Sequence, residues 1–110
     1  MKEDAFYLKH ILSAIERIEL YLENKEKSNF NSDLLLQDGI IRQIEIIGEA
    51  AKHVSEGMRK KHPDVPWKDV AGMRDKLIHA YFGVDLAAVW NTVEKDLPPL
   101  KKNIGTILNL

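Results

Sequence analysis

The sequence predicts an all-α fold: an up-and-down bundle of four long helices followed by a short C-terminal helix. Three observations predict it. Apolar residues recur in steps of three and four along most of the chain, which is the period of one helix face. No stretch alternates apolar and polar residues with a period of two, as a half-buried strand would. The prolines and Gly83 fall at the ends of the periodic stretches, where they interrupt helices. At 110 residues the chain has room for one core, so we read a single domain over 1–110.

The first helix is expected from about 4 to 25. Asp4 is placed to cap it, and Leu8, Ile11, Leu12, Ile15, Ile18 and Leu22 form one apolar stripe. Lys25 to Asn29 reads as a polar connection, after which Ser32 or Asp33 caps a second helix running to about 60. Along it Ile40, Ile44, Ile47, Ala51, Val54 and Met58 keep bundle spacing, and Gly48 permits a close helix crossing. Pro63 and Pro66 then force an extended turn, with Pro66 opening a third helix from about 66 to 82. Val70, Met73 and Leu77 face the core along this helix, and Gly83 ends it. Asp85 caps a fourth helix with Leu86, Val89, Trp90 and Val93 inward. Pro98-Pro99 breaks or kinks the chain before a last amphipathic segment, Leu100 to Leu108.

Composition narrows the function. A net charge of −1 argues against wrapping nucleic acid through the overall field, so any nucleic-acid contact must be a local patch. Residues 59 to 76 supply one, with six cations against three anions and Trp67 as a stacking surface or a plug of the bundle end. There are no cysteines, which removes disulfides and thiolate metal sites. The four histidines share no ligand spacing, so no metal is expected, and no cofactor motif occurs. No apolar run has the length of a membrane span and the first residues lack a signal-peptide core, so the expected location is the cytoplasm.

The chemistry concentrates in Met73 to Phe82. Arg74, His79 and Tyr81 lie within eight residues there. On a regular helix Arg74 and Tyr81 share a face, while His79 sits about 140° round from Arg74. Bringing arginine and histidine together therefore needs a distorted last turn or two copies of the chain. Such a pair suits metal-free cleavage of a phosphodiester. Histidine transfers protons near neutral pH, and arginine offers a permanently charged, forked donor to phosphate oxygens. Asp75, four residues before His79, sits on its helical face and is a candidate for orienting the imidazole. Glu45 and Glu49 read as inter-helix or surface ion pairs that could reach Arg74.

The spacing Arg74-x4-His79-x-Tyr81 resembles the RxxxxHxY signature of the HepT-like branch of the HEPN superfamily, ribonuclease toxins of toxin–antitoxin pairs. Arg42 to Ala50, Pro66-Trp67 and Tyr81 to Asp85 also look like this family. The resemblance implies a HEPN-like bundle and a metal-independent endoribonuclease acting as the toxin of a type VII system. It implies that Arg74 and His79 form the catalytic pair, brought together in the cleft of a homodimer, with RNA as substrate. It also implies that Tyr81 accepts AMP from a minimal nucleotidyltransferase antitoxin of the MntA type, placing anionic phosphate beside Arg74. Two other readings stay open: a non-catalytic helical partner or substrate-binding subunit of a nucleotidyltransferase, and a HEPN-derived bundle without activity.

Overall fold

The computed structural model describes residues 2–79 and 83–110, with only the backbone of Lys2 and His79. Among these residues the chain is all-α apart from one antiparallel pair of two-residue strands. Two long helices carry the bundle: α1 (Lys2–Tyr21) and α3 (Leu34–Lys52), packed along each other. Leu8, Ile11, Ile15 and Ile18 of α1 meet Ile40, Ile44 and Ile47 of α3 in a dry interface, all essentially without solvent exposure. That is the stripe expected from the spacing, except that Leu12 and Leu22 pack at its edge.

Asp33 caps α3, accepting from the Leu36 N–H at 3.0 Å. Ahead of it the expected polar connection is partly helical, α2 (Lys27–Ser32). Its Phe30 is fully buried against Trp90, and Gln37 of α3 donates to the Phe30 and Asn31 carbonyls. A single buried phenylalanine on a polar hexapeptide gives no periodicity, so the sequence offered no helical signal there.

The second expected helix is broken. α3 ends at Lys52 and α4 (Glu56–Lys61) starts anew, capped by Ser55 accepting from the Met58 N–H. Asp4 makes the break. It does not cap α1 but lies buried in its first turn, accepting the Ser55 N–H at 2.8 Å and the Ser55 hydroxyl at 2.7 Å. Burial, the largest single influence, would raise the Asp4 pKa, but the two Ser55 bonds together with the positive charge of the chain's amino group outweigh it and hold the carboxyl below its usual value. Arg59 folds back to donate to the Ala51 and Val54 carbonyls, satisfying the acceptors left at the end of α3.

α5 (Trp67–Ala71) and α6 (Met73–Leu77) then cross α3 at Gly48. A Cβ there would stand 3.3 Å from the Ala71 carbonyl oxygen and 3.5 Å from that of Val70, so the close crossing needs this glycine. The helix expected to reach residue 82 stops five residues earlier. Ile78 takes an extended conformation, and β1 (Ile78–His79) pairs antiparallel with β2 (Gly83–Val84), Ile78 opposite Val84 and His79 opposite Gly83. Gly83 does not cap a helix. It sits in the hairpin with φ near +83°, a conformation that disfavours side chains.

Asp85 caps α7 (Leu86–Asn91) as expected, accepting from the Ala88 N–H at 3.0 Å. Pro98-Pro99 does not break the chain. A π-helical turn, Thr92–Asp96, joins α7 to α8 (Leu97–Ile107), whose first turn holds both prolines. The Leu97 N–H reaches back five residues to the Thr92 carbonyl. Widening the turn shifts the ladder ahead of two residues that cannot donate, so the expected fourth and C-terminal helices run on as one.

Candidate functional site

α6 presents Arg74 with half of its side chain exposed, while Met73 and Leu77 of the same helix are buried. Its Nε donates to Glu45 Oε2 of α3 at 2.9 Å, and its Nη1 lies 3.6 Å from Asp75 Oδ1. The Glu45 hydrogen bond is the largest influence; with the charges of Glu45 and Asp75 it outweighs the opposing desolvation and raises the arginine pKa further. The guanidinium is therefore a fixed cation with one edge held by Glu45. Half of its side chain faces solvent, which leaves donors for an incoming anion.

The hairpin sets the rest of the motif. Because the chain leaves the helix at Ile78, the helical relations expected for residues 74 to 81 do not apply. The four-residue helical spacing that would put Asp75 under His79 is absent; Asp75 is exposed and its partner is Arg74. The backbone of His79 is fixed by pairing with Gly83, just beyond α6. The His79 side chain and all of Tyr81 lie outside the described residues.

The basic patch is largely spent on structure. Arg59 binds backbone carbonyls, Lys60 pairs with Glu56 at 3.2 Å and Lys76 with Asp69 at 3.3 Å. Trp67 is no stacking surface: it is buried, with its indole N–H on the His62 carbonyl at 2.9 Å, and it plugs the bundle end. The side chain that sequence reasoning passed over is Arg42, one turn before Glu45 on α3, with no ion pair among the described residues. Its neighbours Phe6, Tyr7, His10 and His53 were also missed as a group. The signal was available in the spacing of residues 6, 7 and 10 on one helix, but nothing in the sequence ties them to His53.

No group of three or more metal-ligating side chains occurs among the described residues. No described helix is long and apolar enough to cross a membrane.

Comparison with known proteins identifies the lineage. Residues 11–107 match the family described as "Ribonuclease HepT-like". The chain belongs to the HepT-like ribonuclease family. Its similarity extends to individual proteins. One from Methanocaldococcus jannaschii, named "Gamma-glutamylcyclotransferase and putative RNase", is 49% identical over 97% of this chain and 48% of its own length. A "Putative RNase" of Caldanaerobacter subterraneus subsp. tengcongensis is 44% identical over 98% of this chain and 96% of its own. A "Probable ribonuclease HepT" of Thermococcus cleftensis is 47% identical over 86% of each. The chain thus spans about half of the first relative and most of the other two. No solved structure gives a significant match. The expected resemblance and the all-α class both hold, and the enzyme class this family carries is the ribonuclease.

Proposed function

We propose that the protein is a cytoplasmic, metal-independent endoribonuclease, the toxin of a type VII toxin–antitoxin pair, in which Arg74 and His79 carry the reaction. The observation that carries this reading is the half-exposed Arg74 guanidinium, held by Glu45 beside a hairpin that fixes the His79 backbone, in a chain matched to the family over residues 11–107. His79 takes the 2′-hydroxyl proton or supplies one to the leaving oxygen. Arg74 holds the phosphoryl oxygens as charge builds on them. Asp75 acts through Arg74, 3.6 Å away, rather than through a shared helix face with His79. Two protomers meet as a homodimer whose cleft collects both motifs, and RNA threads along it.

Tyr81 is the modification point in this reading. Transfer of AMP from ATP to its hydroxyl, releasing pyrophosphate, would place a phosphodiester anion near Arg74 and compete with the RNA backbone for its charge. The enzyme supplying AMP is a minimal nucleotidyltransferase acting as antitoxin.

The test is expression of the chain alone, scoring growth and the integrity of total RNA. The wild type arrests growth and fragments RNA, while Arg74→Ala and His79→Ala do neither. Incubation with the nucleotidyltransferase and ATP adds one AMP mass to Tyr81 and abolishes cleavage.

A second reading, a non-catalytic partner of a nucleotidyltransferase, draws on Leu34 and Leu35, large apolar side chains left exposed at the start of α3. Harmless expression of the wild-type chain would favour it, because an adaptor has no toxicity of its own.

A further inference from the structure

Beside Glu45, on the side away from Arg74's other contacts, α1 and α3 enclose an open groove of about 290 Å³. Its walls are aromatic to an unusual degree for so small a feature. Tyr7 and the His53 ring are stacked, centroids 4.9 Å apart and planes 17° from parallel. Phe6 stands edge-on to Tyr7 at 5.2 Å and to His10 at 4.5 Å. Yet Phe6 stays 57% exposed, so its neighbours hold it upright without covering it. Aromatics held upright and uncovered are stacking platforms, because every nucleobase has a π-face.

Charge completes the arrangement. Arg42 lines the same groove, with no hydrogen bond or ion pair from its side chain among the described residues. Glu45 lines it too, and the same carboxylate holds Arg74 at 2.9 Å. Groove and arginine are thus adjacent through one side chain. At the rim Glu49 lies 3.4 Å from His53 and 3.9 Å from the Lys52 ammonium, which partly offsets its charge. A nucleotide chain passing Arg74 would find a second guanidinium and a ring cluster immediately alongside.

We propose that this groove is a base-stacking subsite: an unpaired base of single-stranded RNA lies against Phe6 and a flanking phosphate meets Arg42, while the scissile phosphodiester sits at Arg74. The inference rests on the ribonuclease reading above and names the form of its substrate. Phe6 and Arg42 are positioning residues for that substrate. Double-stranded RNA, whose bases are already stacked, does not gain the subsite.

The experiment measures binding of a fluorescein-labelled single-stranded RNA decamer by anisotropy, and its cleavage, for wild type, Phe6→Ala, Phe6→Trp, Arg42→Gln and Arg74→Ala. Phe6→Ala weakens binding roughly tenfold and carries its loss in KM rather than kcat, and Phe6→Trp restores it. Arg42→Gln also weakens binding and lowers the salt dependence by about one phosphate contact. Arg74→Ala loses kcat instead. Wild-type RNA affinity in Phe6→Ala, beside an inactive Arg74→Ala, overturns the subsite and leaves the ribonuclease reading standing. Should the wild type cleave no RNA, that reading fails, and the binding arm decides the subsite by itself. A change in sedimentation mass for Phe6→Ala with unaltered RNA affinity makes the rings a protein contact and likewise overturns the proposal.

Discussion

The α1–α3 pair and the stretch from Trp67 to Asp85 are built on different principles. In the first, two helices of 20 and 19 residues bury an unbroken run of isoleucine and leucine, and the stripe repeats every turn. In the second, two five-residue helices, a hairpin and a helix cap succeed one another within nineteen positions, each fixed by a different contact. The first gains its stability from dry area that any well-spaced apolar sequence provides. The second spends its residues on direction: Glu45 aims Arg74, Gly48 lets α5 come close, and Gly83, at positive φ, pairs with His79 just beyond α6. The core pair should therefore tolerate no cavity, while the motif segment should tolerate lost packing better than lost geometry.

The heaviest loss is expected in the core. Ile44→Ala, at a fully buried site, removes apolar contact and leaves a cavity, costing about 2–5 kcal/mol. Urea unfolding monitored by circular dichroism checks it, with a lowered midpoint at constant slope. A loss below about 1 kcal/mol would mean that the α1–α3 interface repacks freely, and the contrast would weaken.

Next comes Asp4. Its pKa is depressed in the folded chain, so its contribution is present above the unfolded carboxylate value and fades as pH falls through the lower folded value. Asp4→Asn should cost on the order of 1–3 kcal/mol at pH 7, and the gap from wild type should narrow below about pH 4. Thermal melts across pH read this directly. A gap constant from pH 7 to pH 3 would contradict the Ser55 account.

Gly83→Ala is the mildest and probes the contrast from the motif segment. A side chain at φ near +83° costs about 1–2 kcal/mol, a modest change in melting temperature. In the proposed enzyme it shifts the His79 backbone and lowers RNA cleavage by more than the lost stability explains. Equal fractional losses in stability and activity would mean the hairpin serves folding alone.

The same contrast explains how far the sequence could be read. The stripe Leu8 to Ile18, the Ile40 to Val54 run, the Asp33 and Asp85 caps and the Gly48 crossing were all legible, because helix period and cap chemistry are local. The break at Ser55 was not, since Asp4, fifty-one positions away, makes it. The end of α6 at Leu77 was hidden for another reason: Ile78 to Phe82 contains no proline or glycine to announce the exit. The prolines at 98 and 99 misled in the opposite sense, because a π-turn absorbs them. Of the candidate site, the motif residues are visible by spacing and both Glu45 and Glu49 read as within reach of Arg74, but the choice of Glu45 and the ring cluster with Arg42 emerge only when α1, α3 and α6 are assembled.

Above all, the proposed enzyme uses Arg74 for chemistry at an exposed site and owes it little stability. Purified Arg74→Ala decides the point, through its single-turnover rate of RNA cleavage in EDTA read beside its melting curve. The expected result is a rate lowered by about 10²–10³ with a melting temperature close to that of the wild type. Cleavage at the wild-type rate would contradict a catalytic Arg74.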